Sequence, residues 1–240
     1  MRRILAVFAA AVTVATGLVV SGAPAAASST GVVTISIFVP DDVLVFNAGA
    51  GAVNDIVVSF TAFGGQIFIR DLNNPVTTTI AEPFCEILDP NTVFCEGFNG
   101  IRVNLGDKND RATASNVAVY GQGGDDALFA GAGGAFLDGG NGDDTLTGGD
   151  DEDNLRGGYG DDELRGGPGD DDLDGGPNHD TLVGQGGRDT LQGGLNTDFI
   201  DSRDGVAEQV FCGDGAFEGP DTARADPFDD PHGCENVVFT

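Results

Sequence analysis

Large apolar residues recur at every ninth position through the middle of the chain: Leu128, Leu137, Leu146, Leu155, Leu164, Leu173, Leu182, Leu191 and Ile200. The residues on either side of each are mostly polar or Thr. An inward side chain between two outward ones is β-alternation, so each apolar position predicts the centre of a three-residue strand. Counted in nines from Gly121, the repeat runs nine times, through Asp201. Self-similarity at a short fixed period predicts units that stack to bury a continuous core.

The remaining positions of the repeat say how the strands are joined. Position one is Gly in eight copies and Ala130 in the other. Position four is Gly in six copies and Asp151, Asn178 and Asn196 in the rest. Asn and Asp are the residues besides Gly that best tolerate left-handed backbone, so position four is predicted to need a positive φ. Position six is Asp126, Asp144, Asp153, Asp162, Asp171, Asp180, Asp189 and Asp198, and Ala135 alone breaks the series. Short strands and tight turns predict a flattened coil of two nonapeptides per circuit, with circuits stacked ~4.8 Å apart. One edge of that coil then carries Asp126, Asp144, Asp162, Asp180 and Asp198, and the other Ala135, Asp153, Asp171 and Asp189.

The flanks follow other rules. Residues 1–27 read as a secretory signal peptide: Arg2 and Arg3, an apolar run from Ile4 to Val20, then Ala25-Ala26-Ala27 as the expected cleavage site. Residues 28–120 are predicted to form a small β-rich unit, with strands at Val32–Val39, Val43–Phe46, Ile56–Phe60 and Gln66–Arg70 between turn-rich clusters. A small sandwich and an irregular continuation of the coil both fit. Leu105–Asp110 resembles a degenerate repeat of different length, and Val117 and Val119 lead into the first regular turn. Residues 121–201 are the repeat array, and the Pro- and Asp-rich residues 202–240 are expected to cap its end.

Four cysteines, Cys85, Cys95, Cys212 and Cys234, predict disulfides in an exported chain. Three pairings are possible. Local pairing of Cys85 with Cys95 and of Cys212 with Cys234 is favoured because the array separates the couples. A zinc site is the rival, but neither couple has C-x-x-C spacing, and His179 and His232 are unsuitably placed as partners.

Charge narrows the chemistry. The chain has 39 Asp plus Glu against 11 Lys plus Arg, a formal charge of −28. Such a surface repels nucleic-acid phosphates and anionic membranes and attracts cations. Stacked carboxylates repel one another when desolvated, and a hard cation between them turns repulsion into ligation. Ca²⁺ accepts six to eight oxygens in a flexible shell, which two Asp carboxylates plus carbonyls of two Gly-rich turns could supply; Mg²⁺ suits an all-protein cage poorly. One ion in each gap between Asp residues on the same edge predicts about six sites, four on one edge and two on the other. Asp126 stands at the end of its series and Asp162 at the middle, so losing Asp162 is expected to cost more.

Gly139–Thr147, Gly157–Arg165 and Gly166–Asp174 all read G-G-x-G-x-D-x-U-x, where U is a large apolar residue. Residues 121–201 therefore resemble the RTX, or hemolysin-type, calcium-binding nonapeptide repeats of secreted bacterial proteins. The Cys212–Glu235 tail and the Cys85/Cys95 segment resemble those of small exported actinobacterial RTX-repeat proteins. The resemblance implies an all-β fold, a right-handed parallel β-roll with calcium in its turns. It implies the position-six aspartates as ligands, with carbonyls of Gly139, Asn141, Gly157, Tyr159, Gly166 and Pro168 completing the shells. Ala135 departs from the pattern, which puts its site in doubt.

A catalytic role finds little footing, since the chain has no H-E-x-x-H and no G-x-S-x-G. His179 sits at the variable fifth position, as a solvated turn residue would. The function expected is calcium binding by a secreted, non-catalytic, extracellular module with a structural or adhesive role. The alternative is a small enzyme or ligand-binding domain at 28–120 stabilised by the calcium roll. A filled apolar core in 28–120 would favour the first, a deep polar pocket the second. The surface or matrix partner is not legible.

Overall fold

The computed structural model describes residues 33–38, 43–48, 53–61, 66–72, 76–78, 85–89, 92–96, 100–213 and 220–240. The segment read as a signal peptide, 1–27, lies outside them. Among the described residues every regular element is a strand.

Two sheets face each other. One runs from Val76–Thr78 through Val33–Phe38, Val43–Asn47, Gly100–Gly106, Ala118–Gly123, Phe136–Asn141, Asn154–Tyr159, Asp172–Pro177, Thr190–Leu195 and Gln209–Gly213 to Asp230–His232. The other runs from Cys85–Asp89 through Thr92–Glu96, Gln66–Asp71, Asp55–Thr61, Arg111–Ser115, Ala127–Ala130, Thr145–Thr147, Glu163–Pro168, Thr181–Gly186, Phe199–Asp201 and Thr222–Ala225 to Asn236–Phe239. Successive strands of the chain alternate between the sheets from Gly100 onward, so each circuit takes one strand from each. From Gly100 onward neighbours within a sheet are parallel, with Leu155 beside Leu173 and Leu146 beside Leu164. This is the parallel β-roll, with two nonapeptides per circuit.

The core is two columns of side chains. In one sheet Val119, Leu137, Leu155, Leu173, Leu191 and Val210 stack in register. In the other, Leu128, Leu146, Leu164, Leu182 and Ile200 do the same. All of these are fully buried. Most strands of the array are six residues long rather than three, because pairing continues past the apolar position into the glycines: Asn154–Tyr159 alternates its buried residues at Leu155 and Gly157. Glycine at that second inward position leaves the interior only one large side chain thick per strand.

The leading region takes the form of an irregular continuation of the roll. Val43–Asn47 pairs parallel with Gly100–Gly106, and Asp55–Thr61 parallel with Arg111–Ser115. Antiparallel hairpins are added outside these, Val33–Phe38 on one sheet and Gln66–Asp71, Thr92–Glu96 and Cys85–Asp89 on the other. Its interior is filled by Phe46, Ile56, Val58, Ile67, Ile69 and Val103, each at most 1% exposed. The closing region also extends both sheets, Gln209–Gly213 and Asp230–His232 on one, Thr222–Ala225 and Asn236–Phe239 on the other. Cys212 and Cys234 form a disulfide across it. Cys95 is disulfide-bonded too, and the strand register places Cys85 opposite it.

Candidate metal centre

Positive φ falls where the pattern predicted it in eight copies of the repeat. Asn178 at 93° and Asn196 at 84° adopt it alongside Gly124, Gly133, Gly142, Gly160, Gly169 and Gly187. Asp151 is the exception and does not. A second left-handed position went unseen: position two, where Gln122 (78°) and Gln185 (73°) join Gly140, Gly158, Gly167, Gly176 and Gly194. Two reversals of backbone hand in three residues turn the chain from one sheet to the other and deliver position six to the roll's inner edge.

All eight position-six aspartates are buried, none more than 3% exposed. They stack as the two-nonapeptide coil requires. The amide of Asp126 donates to Asp144 Oδ1 at 2.7 Å, Asp144 to Asp162 at 2.8 Å, Asp162 to Asp180 at 2.9 Å and Asp180 to Asp198 at 2.9 Å. On the other edge the Ala135 amide donates to Asp153 Oδ1 at 2.7 Å, Asp153 to Asp171 at 2.8 Å and Asp171 to Asp189 at 3.0 Å. One oxygen of each carboxylate is thus held by the preceding coil.

In all but one of them the other oxygen has no donor among the described residues. Oδ2 of Asp126, Asp144, Asp162, Asp171, Asp180, Asp189 and Asp198 is buried without a hydrogen-bond donor. Asp153 differs, because its Oδ2 accepts from the Gly149 amide at 2.6 Å. A buried carboxylate oxygen without a partner is costly and calls for a cation. The position-one glycines locate the space it faces. A β-carbon on Gly175 would lie 2.6 Å from both Asp180 Oδ2 and the Gly193 carbonyl oxygen. One on Gly166 would lie 2.5 Å from Asp171 Oδ2 and 2.8 Å from the Gly184 carbonyl. Carboxylate and carbonyl oxygens of successive coils therefore converge where only glycine leaves room. This is an all-oxygen, anionic donor set, and it fits a hard cation of calcium's kind.

Burial is the main influence on these acids. It pushes Asp144 and Asp180 up to about 8, Asp126 and Asp171 to about 7, and Asp162, Asp189 and Asp198 to about 6. Bonds between each carboxylate and the preceding amide pull the other way, and neighbouring aspartates add to the rise. Without a cation, protons would take its place on these oxygens as pH falls through that range.

The carbonyl donors implied by resemblance divide into two groups. Carbonyls of Gly139, Gly157 and Gly166 face the cradles of Gly121, Gly139 and Gly148, beside Asp126, Asp144 and Asp153. Those of Asn141 and Tyr159 accept amides of Gly124 and Gly142 at 2.9 and 2.8 Å. Pro168 pairs in register with Gly186. His179 is a turn residue as expected; its amide donates to Asp161 Oδ1 at 3.0 Å, and its Nδ1 lies 3.1 Å from the Thr197 carbonyl.

The first edge is longer than the regular repeat. Asp110 lies below Asp126, to whose Oδ1 its amide donates at 2.7 Å. Asn54 lies below Asp110, donating to its Oδ1 from the amide at 2.6 Å and from Nδ2 at 3.0 Å. Beyond Asp198 come Asp221, accepting the Asp198 amide at 2.9 Å, and Glu235, accepting the Asp221 amide at 2.9 Å. Oδ2 of both Asp110 and Asp221 is also buried and unpaired. Asp126 is therefore not an end residue, and the expectation that it matters less than Asp162 loses its physical basis. The spacings of 16 and 23 residues at these steps hide the relation from a period of nine, because the turns absorb the difference while the sheets keep register.

A search of curated proteins returns no match to the chain. The family described as RTX calcium-binding nonapeptide repeat (4 copies) matches residues 111–137, 132–158, 138–173, 147–182 and 174–206. The matches begin at Arg111, beside Asp110, and so take in part of the irregular lower coil as well as the nine regular copies. Geometry and comparison agree: residues 111–206 belong to the RTX calcium-binding nonapeptide repeats, and the β-roll they form binds Ca²⁺.

Proposed function

We propose that this is an exported, non-catalytic calcium-binding module with an extracellular structural or adhesive role. In this reading residues 1–27 are the removed signal, 28–120 the leading unit, 121–201 the regular array and 202–240 the cap. The ligands are Asp126, Asp144, Asp153, Asp162, Asp171, Asp180, Asp189 and Asp198, with turn carbonyls such as those of Gly139, Gly157 and Gly166. The observation that carries the assignment is the run of buried Oδ2 atoms without donors, of which those of Asp126, Asp144, Asp162, Asp171, Asp180 and Asp198 share a glycine cradle with a carbonyl of the next coil. Calcium would supply the positive charge that lets these carboxylates stay ionised together. The residues' own part is positional: Oδ1 is tied to the coil below, which leaves Oδ2 directed into the cradle.

Two observations support export and a binding rather than catalytic role. Disulfides such as Cys212–Cys234 persist in oxidising surroundings. The leading unit is packed with apolar side chains, the outcome that favours a scaffold over a pocketed domain. Calorimetric titration of residues 28–240 with calcium, followed by circular dichroism, tests the reading. Saturable binding with a gain of β-signal is expected. Absence of heat and of any spectral change would refute it.

A further inference from the structure

The coil that closes the roll holds a group of acids outside the nonapeptide pattern. Carboxylate oxygens of Asp204, Glu208 and Asp226 all lie within 4.8 Å of one another. Glu208 precedes Gln209, which pairs with Thr190, so it occupies on the second edge the place after Asp189. It is 2% exposed, and both Oε1 and Oε2 are buried without a hydrogen-bond partner. The charged groups acting on it, Asp229, Asp204 and Asp226, are all acidic.

The two companions are oriented by backbone. Asp204 accepts the amides of Val206 at 2.7 Å and Gly187 at 3.1 Å. Asp226 accepts those of Gly205 at 2.6 Å and Phe228 at 2.9 Å. Asp229 stands behind them, taking the Ser202 hydroxyl and Asp226 amide at 2.8 Å each and the Glu208 amide at 3.3 Å. Three carboxylates are thereby gathered, and the most buried of them has no counter-charge and no donor. Repulsion of this kind is relieved by a cation or by protonation.

We infer that Asp204, Glu208 and Asp226 form a further divalent-cation site, filled by calcium, in the closing coil. It differs in kind from the array: three side-chain carboxylates, two from the 202–208 connection and one from the turn that follows Ala225, provide the charge, where each array gap offers two. Higher ligand charge on a rigid frame tightens calcium binding, so this site fills at lower calcium than the array. It uses none of the position-six aspartates, and its failure leaves the array reading intact.

Crystals of residues 28–240 grown in calcium chloride would decide it by anomalous scattering. A peak among the three carboxylates is expected in addition to those along the two edges. Peaks on the edges with none here would overturn the inference; absence of peaks everywhere would overturn the array reading as well. In calorimetry, Glu208→Gln should lower the calcium stoichiometry by one and remove the tightest phase. Asp204→Asn, at an exposed turn, should do the same should Glu208→Gln not fold. Unchanged stoichiometry in a folded Asp204→Asn variant also counts against the site.

Discussion

Gly175 and Asp180 are five residues apart and so close across their turn that a β-carbon on the glycine would lie 2.6 Å from Asp180 Oδ2. The same conflict recurs at every regular coil that carries both residues. Where it does not, both partners change: Ala130 stands at position one of the copy whose position six is Ala135. Gly175→Ala should therefore displace the carboxylate and weaken calcium binding by about tenfold, or ~1.4 kcal/mol, read as a shift in the calcium midpoint by circular dichroism. An unshifted midpoint would mean the cradle does not need the space.

The same logic applies in reverse to the broken copy. Ala135→Asp alone should gain little, because Ala130 supplies the obstructing β-carbon. Ala130→Gly with Ala135→Asp should add one calcium to the stoichiometry measured by calorimetry. Equal behaviour of the single and double variants would show that the two alanines are unrelated.

Position within an edge should matter through hydrogen bonding. Asp153 Oδ2 is already satisfied by Gly149, whereas Asp171 Oδ2 has no donor. Asp171→Asn is expected to raise the calcium midpoint several-fold more than Asp153→Asn. A larger effect at Asp153 would place the ions elsewhere.

Metal removal should unfold the array before the leading unit. Residues 121–201 carry 20 acidic residues against Arg156, Arg165 and Arg188, over a core of two aliphatic columns. Such a core cannot offset chain entropy and repulsion together, so binding free energy becomes folding free energy. Limited trypsin digestion in EDTA should cut first at those three arginines, and calcium should protect them. Equal protection in both conditions would sever metal binding from folding.

Acid should substitute in part for calcium. Folded-state pKa values of about 6 to 8 stand above the ordinary aspartate value of ~3.9. Groups raised in this way favour the folded state fully below the unfolded value and lose that contribution as pH rises through 6 to 8. In EDTA, circular dichroism should show more β-structure at pH 5 than at pH 8. In calcium the proton competes for the same oxygens, so apparent affinity should fall as pH is lowered from 8 to 6. A metal-free spectrum indifferent to pH would contradict the burial of these carboxylates.

Period and residue type together made the roll legible. Leu at position eight, left-handed Asn178 and Asn196, and the two-edge stacking of Asp all follow from rules local to a nonapeptide. What stayed hidden was whatever broke the count. Asp110 and Asp221 precede small inward residues, Ala112 and Ala223, instead of leucine, and so lack the apolar marker. Glu208 is the wrong acid at an irregular interval. The fifth-position relay, in which Asp143 donates its amide to Asp125 Oδ1 and Asp161 to Asp143 Oδ1, gave no signal because that position varies.

The bonds along the inner edge all point one way. Each carboxylate is oriented by the amide of the coil before it, beginning with Asn54 beneath Asp110 and ending with Glu235 above Asp221. At this edge, in contrast to the fifth-position relay, each coil is oriented by its predecessor. Folding from the amino towards the carboxyl end would bring each carboxylate of this edge to an amide already in place, and that is the order in which a chain threaded through a membrane pore by its leading end would emerge. On this account the leading unit is a primer, and the disulfide between Cys212 and Cys234 is a latch fastened last.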